Sequence, residues 1–368
     1  LQRSFIETLL AQAGWSYTIV TDPDAFAWEL RSGDYSLYAL FAESVKLDEP
    51  VQKELREAVY RGEGLLDAGS HDQRHQNFDD ALGIKYLGKH SSVQGVDVFT
   101  TTVGTGSAGL TLKDKTLKAQ LLNAVKLGRY IGVSSEDLAI ATRDYGEGKS
   151  VYMGFDLLAE ATVAGDTSFH ASLIREALTH VQPSYAQVAS GQVVPLMLTL
   201  SNRGIAVSGR ALLPLPAGSV VVDRRDATVQ GDTLTWTYSL AEGEEKTFTT
   251  WVRLPPQAGT LALEANVQIG AAPSFADHTT ASLTVNTVQK AGLAEARTLA
   301  ASDIAFKKVQ LWLDKADAAL SVNKPDVALG DLVQAADEAM KAAHPQAPAL
   351  RLMIDQAILD IGRRLWEQ

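Results

Sequence analysis

Apolar positions recur along this chain with more than one period, and each period predicts a different kind of structure. From residue 1 to about 183 helical and strand spacing alternate. Phe5, Leu9 and Leu10 share a helical face, Gly14 ends that helix, and the stretch 15–20 predicts a first strand. Asp22 or Asp24 is placed to cap a short helix to about Leu30, after which Gly33 and Asp34 turn the chain into a buried strand over 35–41. Asp48 and Pro50 open a helix whose inner face carries Val51, Leu55, Ala58 and Val59, and Gly62 and Gly64 end it before a strand at Leu65 and Leu66. This alternation predicts crossover units on a parallel sheet, a doubly wound α/β domain over 1–183. Between 84 and 155 the spacing shortens to strands around 96–102, 124–133, 138–143 and 150–155. Leu173, Ile174, Ala177 and Leu178 then predict a closing helix over 169–181.

After Pro183 the period becomes two. Strands are expected over 192–201, 206–213, 219–223, 233–240, 245–254, 260–269 and 280–286, with turns at 202–204, 230–232 and 242–244. Short strands at this density predict an immunoglobulin-like β-sandwich over 184–288, with Trp236 and Trp251 in its core or between its sheets. Pro255, Pro256 and Pro273 are placed to guard sheet edges. From 289 helical spacing returns. One long helix over 290–320, a second opened by Pro325, and a third carrying Leu350, Ile354, Ile358, Ile361 and Leu365 predict a C-terminal antiparallel helical bundle over 289–368, with Trp312 and Trp366 as core residues or, alternatively, anchors for a partner. The fold class is thus multidomain: α/β, then all-β, then all-α.

Composition narrows the functions this architecture can serve. The chain has no cysteine, which excludes disulfides, thiolate metal sites and a cysteine nucleophile. Its net charge of −11, with no concentration of Lys or Arg, excludes a phosphate-binding surface, so no nucleic-acid partner is expected. No apolar run reaches the roughly 18 residues that a membrane span needs. The sequence opens at Leu1 inside a helical pattern and is expected to be a piece of a longer protein with any targeting signal upstream. Avoidance of cysteine fits an extracytoplasmic location, in the periplasm or at the cell surface.

The candidate chemistry lies where the strand of Leu65 and Leu66 ends. Ser70, His71 and Asp72 are the candidate catalytic residues, and together with His75 they are the candidate ligand-binding residues. A nucleophile elbow needs small residues on both sides of the serine, and Ala68-Gly69-Ser70-His71-Asp72 lacks the second. Neighbouring residues also point apart, so a working triad would draw its histidine from elsewhere. Asp67, His71, Asp72, His75 and Asp79 are alternative metal donors, yet no His-Glu-x-x-His pattern accompanies them. No metal or other cofactor is expected. The simplest reading is a loop or helix cap, with a ligand pocket and a hydrolase as rivals. Gly104-Thr-Gly-Ser-Ala-Gly109 lacks the Lys-Ser/Thr of a phosphate loop and reads as a hairpin or surface loop. His90, His170 and His180 read as isolated polar residues.

The run from Val51 to Ser70, followed by Asp80-Ala-Leu-Gly-Ile84, resembles the class I glutamine amidotransferase-like superfamily, above all its non-catalytic members such as the β-galactosidase trimerisation domain. The segment from Tyr145 to Asp156 is similar to the closing strand of that group. With no cysteine at the elbow, the resemblance implies an inactive homologue without glutaminase activity. Val193 to Gly204 and Leu234 to Phe248 resemble the conserved-repeat domains of bacterial surface proteins, and 311–332 resembles helical hairpins at the ends of bacterial extracellular proteins. Together they imply a non-catalytic structural or interaction module of an extracytoplasmic protein, whose partner is a protein or a component of the cell envelope. The oligomeric state stays open.

Overall fold

The computed structural model describes residues 2–13, 15, 17–41, 46–69, 71–72, 75–90, 92–112, 115–134, 137–163, 167–183, 187–189, 193–255, 259–270, 277–286 and 293–366. Two compact units emerge: Leu1–Pro183 together with Ala291–Gln368, and Ser184–Lys290.

The first unit opens with α1 (Gln2–Gln12) and α2 (Pro23–Ser32). The Asp22 side chain caps α2 by accepting from the Asp24 amide, Pro23 sets its first turn, and Gly33 ends it at φ 66°. The described residues of 15–20 form no strand, so the sheet begins at β1 (Leu37–Leu40). Then follow α3 (Glu49–Arg61), β2 (Gly64–Ala68), α4 (Asp79–Leu82), β3 (Ile84–Lys89), β4 (Gly95–Phe99), β5 (Thr105–Gly109), β6 (Leu117–Leu121), β7 (Val125–Ile131), β8 (Leu138–Tyr145), β9 (Gly148–Met153), α5 (Leu157–Val163) and α6 (Ser168–Val181).

One sheet of seven strands has the order β1-β2-β9-β8-β7-β4-β5, and β3 pairs β6 separately. Only β1, β2 and β9 run parallel; every other pair in the large sheet is antiparallel. The expected doubly wound parallel sheet is therefore corrected to a mixed α/β sheet. The reason is local: β8 and β9 join through the Tyr145-to-Gly148 turn and β4 and β5 through a short loop, leaving no room for crossover helices. The glycine-rich stretch at 104–109 is the edge strand of that second hairpin.

Strand alternation gives the sheet two buried faces. Leu66, Ala68, Val151 and Met153 pack with Ile6, Leu9, Leu173, Ile174 and Leu178, so α1 and α6 cover one face. Leu65 and Tyr152 pack with Leu55, Ala58, Val59, Phe78 and Leu82, so α3 and α4 cover the other.

The C-terminal helices belong to this same unit: α7 (Leu293–Ala301), α8 (Lys307–Ser321), α9 (Pro325–Lys341) and α10 (Ala347–Trp366). The single helix expected over 290–320 is interrupted, because Asp303 caps a 3₁₀ turn at Ile304–Phe306 and starts the chain afresh. Leu313, Leu332, Leu350 and Ile354 centre the helical core, and α9 and α10 lie against α3. No helix among the described residues is long and apolar enough to cross a membrane.

The second unit holds β10 (Gln187–Ala189), β11 (Val193–Ser201), β12 (Val207–Pro214), β13 (Val220–Asp223), β14 (Thr228–Gln230), β15 (Thr233–Leu240), β16 (Glu245–Arg253), β17 (Gly259–Ile269) and β18 (Asp277–Asn286). They form a six-stranded sheet, β10-β18-β17-β12-β15-β14, and a three-stranded one, β11-β16-β13. Both sheets contribute to one core, in which Trp236 and Phe248 meet at 5.8 Å between ring centres. Trp251 lies on the opposite face of β16 from Phe248 and Val252, outside that core. Asn202 fixes the first turn: its side-chain NH₂ donates to the carbonyls of Ile205 and Ala241, and its oxygen accepts from Gly204.

Candidate functional site

The strand β2 is buried along its whole length, as expected of a strand flanked on both edges and covered on both faces. It ends at Gly69, whose amide donates to the Met153 carbonyl and whose φ of 90° suits glycine. A Cβ there would sit 2.7 Å from the Asp156 Cα, so the turn needs glycine for space as well.

Beyond it the chain dives inward. His71 is fully buried, edge-on to the rings of Phe78 at 5.2 Å and Tyr152 at 6.1 Å. Its Nε2 lies 2.7 Å from Asp79 Oδ1 and its Nδ1 3.5 Å from Asp67 Oδ2. Neither contact has hydrogen-bond direction; both are at ion-pair distance. Asp67 is fully buried, and Asp79 keeps a quarter of its side chain exposed.

His75 does something different. Its Nε2 accepts from the Leu47 amide at 3.1 Å and its ring stacks on Phe78. Gln52 completes the tie, donating to the Leu47 carbonyl and accepting from Asn77. Asp72 lends its backbone carbonyl to the His75 amide. The structure thus brings His71 together with Asp67 and Asp79, and sets His75 to hold a loop. Ser70 lies outside the described residues. Among the described residues no group of three or more His, Asp or Glu side chains is arranged to hold a metal ion.

Behind the histidine, the Tyr130 hydroxyl donates to the Gly154 carbonyl, and the Tyr152 hydroxyl is buried. Burial pushes the Tyr152 phenol well above its ordinary pKa, with Tyr130, Asp67 and Asp79 adding to the shift. A Cβ on Gly154 would stand 2.6 Å and 2.7 Å from the two hydroxyls. The cluster has the ingredients of acid–base chemistry, but His71 faces carboxylates and rings within the protein.

Sequence reasoning missed a second buried charged cluster, between α3 and the C-terminal helices. Arg351 grips Glu57 with two hydrogen bonds of 2.9 Å, donates to the Tyr145 hydroxyl at 2.8 Å and lies 3.7 Å over the Tyr60 ring. Arg56 joins Glu57 at 2.6 Å to Asp337 at 2.5 Å, and Lys53 reaches Asp337 at 3.2 Å. Burial would raise the Glu57 carboxyl, but Arg56 and Arg351 outweigh it and hold the group down to about 2. Asp355 is fully buried against Glu57; burial and that neighbouring charge push its carboxyl well above the ordinary range. Nearby Arg31 forms a two-pronged pair with Glu54 at 2.8 Å. The cleft lined there by Leu30, Arg31, Glu54, Arg61, Ile358 and Gly362 has room for about one water molecule.

No protein-family model matches the chain, and no curated protein matches it in sequence. Solved structures do match. An exo-β-1,4-mannosidase, Op5Man5 from Opitutaceae bacterium strain TAV5, is 13% identical over 40% of this chain and 25% of its own, with a TM-score of 0.31. A catalytic mutant of Gan42B, a GH42 β-galactosidase from G. stearothermophilus, is 14% identical over 59% of this chain and 32% of its own, at 0.30. Cytoplasmic protein STM3548 from Salmonella typhimurium is 13% identical over 48% of this chain and 85% of its own, at 0.33. The chain spans a quarter to a third of the two glycoside hydrolases. The expected membership of the glutamine amidotransferase-like superfamily is corrected: no family model or curated sequence supports it, and the sheet is mixed where a parallel one was expected. The glycine turns and buried strand that carried the resemblance are packing features that unrelated sheets share.

Proposed function

We propose that the chain is a non-catalytic structural and protein-interaction module. The observation that carries this reading is the position of His71, fully buried with its two ring nitrogens turned to Asp67 and Asp79. A general base must reach a proton on a substrate, directly or through one water, and an imidazole sealed between two carboxylates faces the fold instead. His75 and Gln52 likewise serve the backbone. In this reading the second unit is an immunoglobulin-like sandwich acting as a spacer, its turns fixed by residues such as Asn202.

Thermal unfolding of the full chain against divalent metals, glycans, cell-wall fragments and amides tests this, with Ser70→Ala and His71→Ala variants alongside. A ligand that binds only the folded state raises the transition by mass action. No rise is expected. A rise that disappears in His71→Ala, measured against that variant's own baseline, overturns the reading in favour of a strand-end pocket, and turnover of a glycan or amide lost in Ser70→Ala overturns it in favour of a hydrolase.

A further inference from the structure

The C-terminal helices carry an apolar core of their own. Among the described residues its buried members all come from 296–361, while the two cores around the sheet draw only on 6–181. The chain also passes through the whole second unit between Pro183 and Ala291, so no short connection ties the helices to the sheet. What holds α9 and α10 against α2 and α3 is mainly polar. Arg351 reaches Glu57 and the Tyr145 hydroxyl, and Asp337 takes both Arg56 and Lys53. Arg363 donates to the carbonyls of Ser32 at 3.2 Å and Gly33 at 3.4 Å. Apolar contact is lighter: Leu359 closes on Gly33, where a Cβ would stand 2.5 Å from the Leu359 Cδ1, and the Met340 sulfur meets the Tyr145 hydroxyl at 3.7 Å. The seam is not filled either, since the cleft between Leu30, Arg31, Glu54 and Ile358 leaves room for about one water molecule.

We propose that α7 to α10 form a latched body that swings off α2 and α3 without losing its own fold, giving the first unit a docked and an open state. The inference goes beyond the module reading and stands without it. Polar contacts within a chain behave like transient interfaces, and motion across them is expected unless they are large and apolar. Parting this seam leaves each apolar core whole and returns Arg56, Glu57, Asp337, Arg351 and Asp355 to water, so regained hydration offsets the lost attraction. Unfolding the helices instead would expose Leu332 and Leu350, both fully buried. The same pairs set how the body closes. Arg351 meets Glu57 through two bonds, a geometry that sliding by one helical turn breaks. The charged seam therefore acts as a latch that closes in one register and opens as a unit.

Because the chain has no cysteine, pairs of introduced cysteines take spin labels only at the chosen sites. Leu87→Cys with Val322→Cys spans the seam, and Leu311→Cys with Trp366→Cys lies within the helices; all four positions are exposed. Double electron–electron resonance on the full chain reads the distance between the labels. With Arg351→Met added, the spanning pair is expected to gain a second, longer distance holding at least about a tenth of the molecules, against about 1% or less without it. The internal pair is expected to keep one distance throughout. Asp337→Asn, which weakens another part of the seam and takes nothing from the helical core, is expected to act in the same direction more weakly. Arg351→Met/Glu57→Met leaves neither charge unmatched and is expected to restore the single distance. A spanning distance that stays single in Arg351→Met and Asp337→Asn alike overturns the proposal. So does loosening of both label pairs together in Asp337→Asn, the milder variant, which would make the helices and the sheet one cooperative body.

Discussion

The first unit buries charge in two places, and the two are built differently. At the end of β2 a single histidine lies between two carboxylates at ion-pair distance without directed hydrogen bonds. Between α3, α9 and α10, charged groups meet through two-pronged and bridging bonds of 2.5–2.9 Å, with rings stacked on the guanidinium. Buried charge is tolerable only where partners replace lost water, and the helical cluster replaces far more of it. The unit's strongest polar connection therefore lies between the sheet's helical cover and the C-terminal helices, away from the turn that looks most like an active site.

The largest effect is expected from removing one member of the helical cluster. Arg351→Met leaves Glu57 buried with a single cationic partner and is expected to cost about 3–5 kcal/mol. Urea unfolding measures it, and the double variant Arg351→Met/Glu57→Met is expected to recover part of the loss, since it leaves neither charge unmatched. At the strand end, His71→Ala is expected to cost less, about 1–3 kcal/mol, because its contacts to the two carboxylates lack hydrogen-bond direction. A larger loss there than at Arg351 would invert the comparison.

How much of this was legible beforehand follows from α3. Its inner face of Val51, Leu55, Ala58 and Val59 was readable from spacing, as were its opening at Pro50 and its stop at Gly62. Its polar face reads in sequence as a face for solvent, yet Arg56 and Glu57 are buried. The partner side chains are almost three hundred positions away, and no local period announces an ion pair of that separation. The same blindness explains the sheet: alternation revealed the strands but not the direction in which β8 and β7 pair. At the candidate turn, the residue types suggested chemistry, whereas the function of His71 depends on Asp79, Phe78 and Tyr152, which the fold alone brings to it.

A third, smaller effect separates the clusters by volume. Gly154→Ala forces a methyl against the Tyr130 and Tyr152 hydroxyls and is expected to cost about 1–3 kcal/mol. Thermal unfolding reads the change, and pairing it with Tyr152→Phe, which removes one hydroxyl, is expected to return part of it. An additive result would mean that the methyl is accommodated by moving the β9 backbone instead.

The last effect is a slope rather than a step, and it belongs to the helical cluster. Glu57 is held down to about 2 from an ordinary value of 4.5, so its contribution is present above the ordinary value and lost as pH falls through the lower one. Asp355 is displaced the other way. Its contribution is complete below the ordinary aspartate value of 3.8 and is lost as pH rises from there towards the raised value, because the unfolded chain ionises first. Asp355→Asn keeps a donor against Glu57 and cannot ionise. Relative to the parent, the variant is expected to gain stability as pH rises above the ordinary aspartate value of 3.8, while the acid side keeps its slope because Glu57 is still held by Arg56 and Arg351. Urea midpoints from about pH 2 upward measure both limbs. Parallel curves would place no proton on Asp355, and the cluster would then hold two charged carboxylates between its arginines. His71→Ala, measured in the same series, is expected to leave the difference between Asp355→Asn and its own parent unchanged, since the two clusters share no side chain.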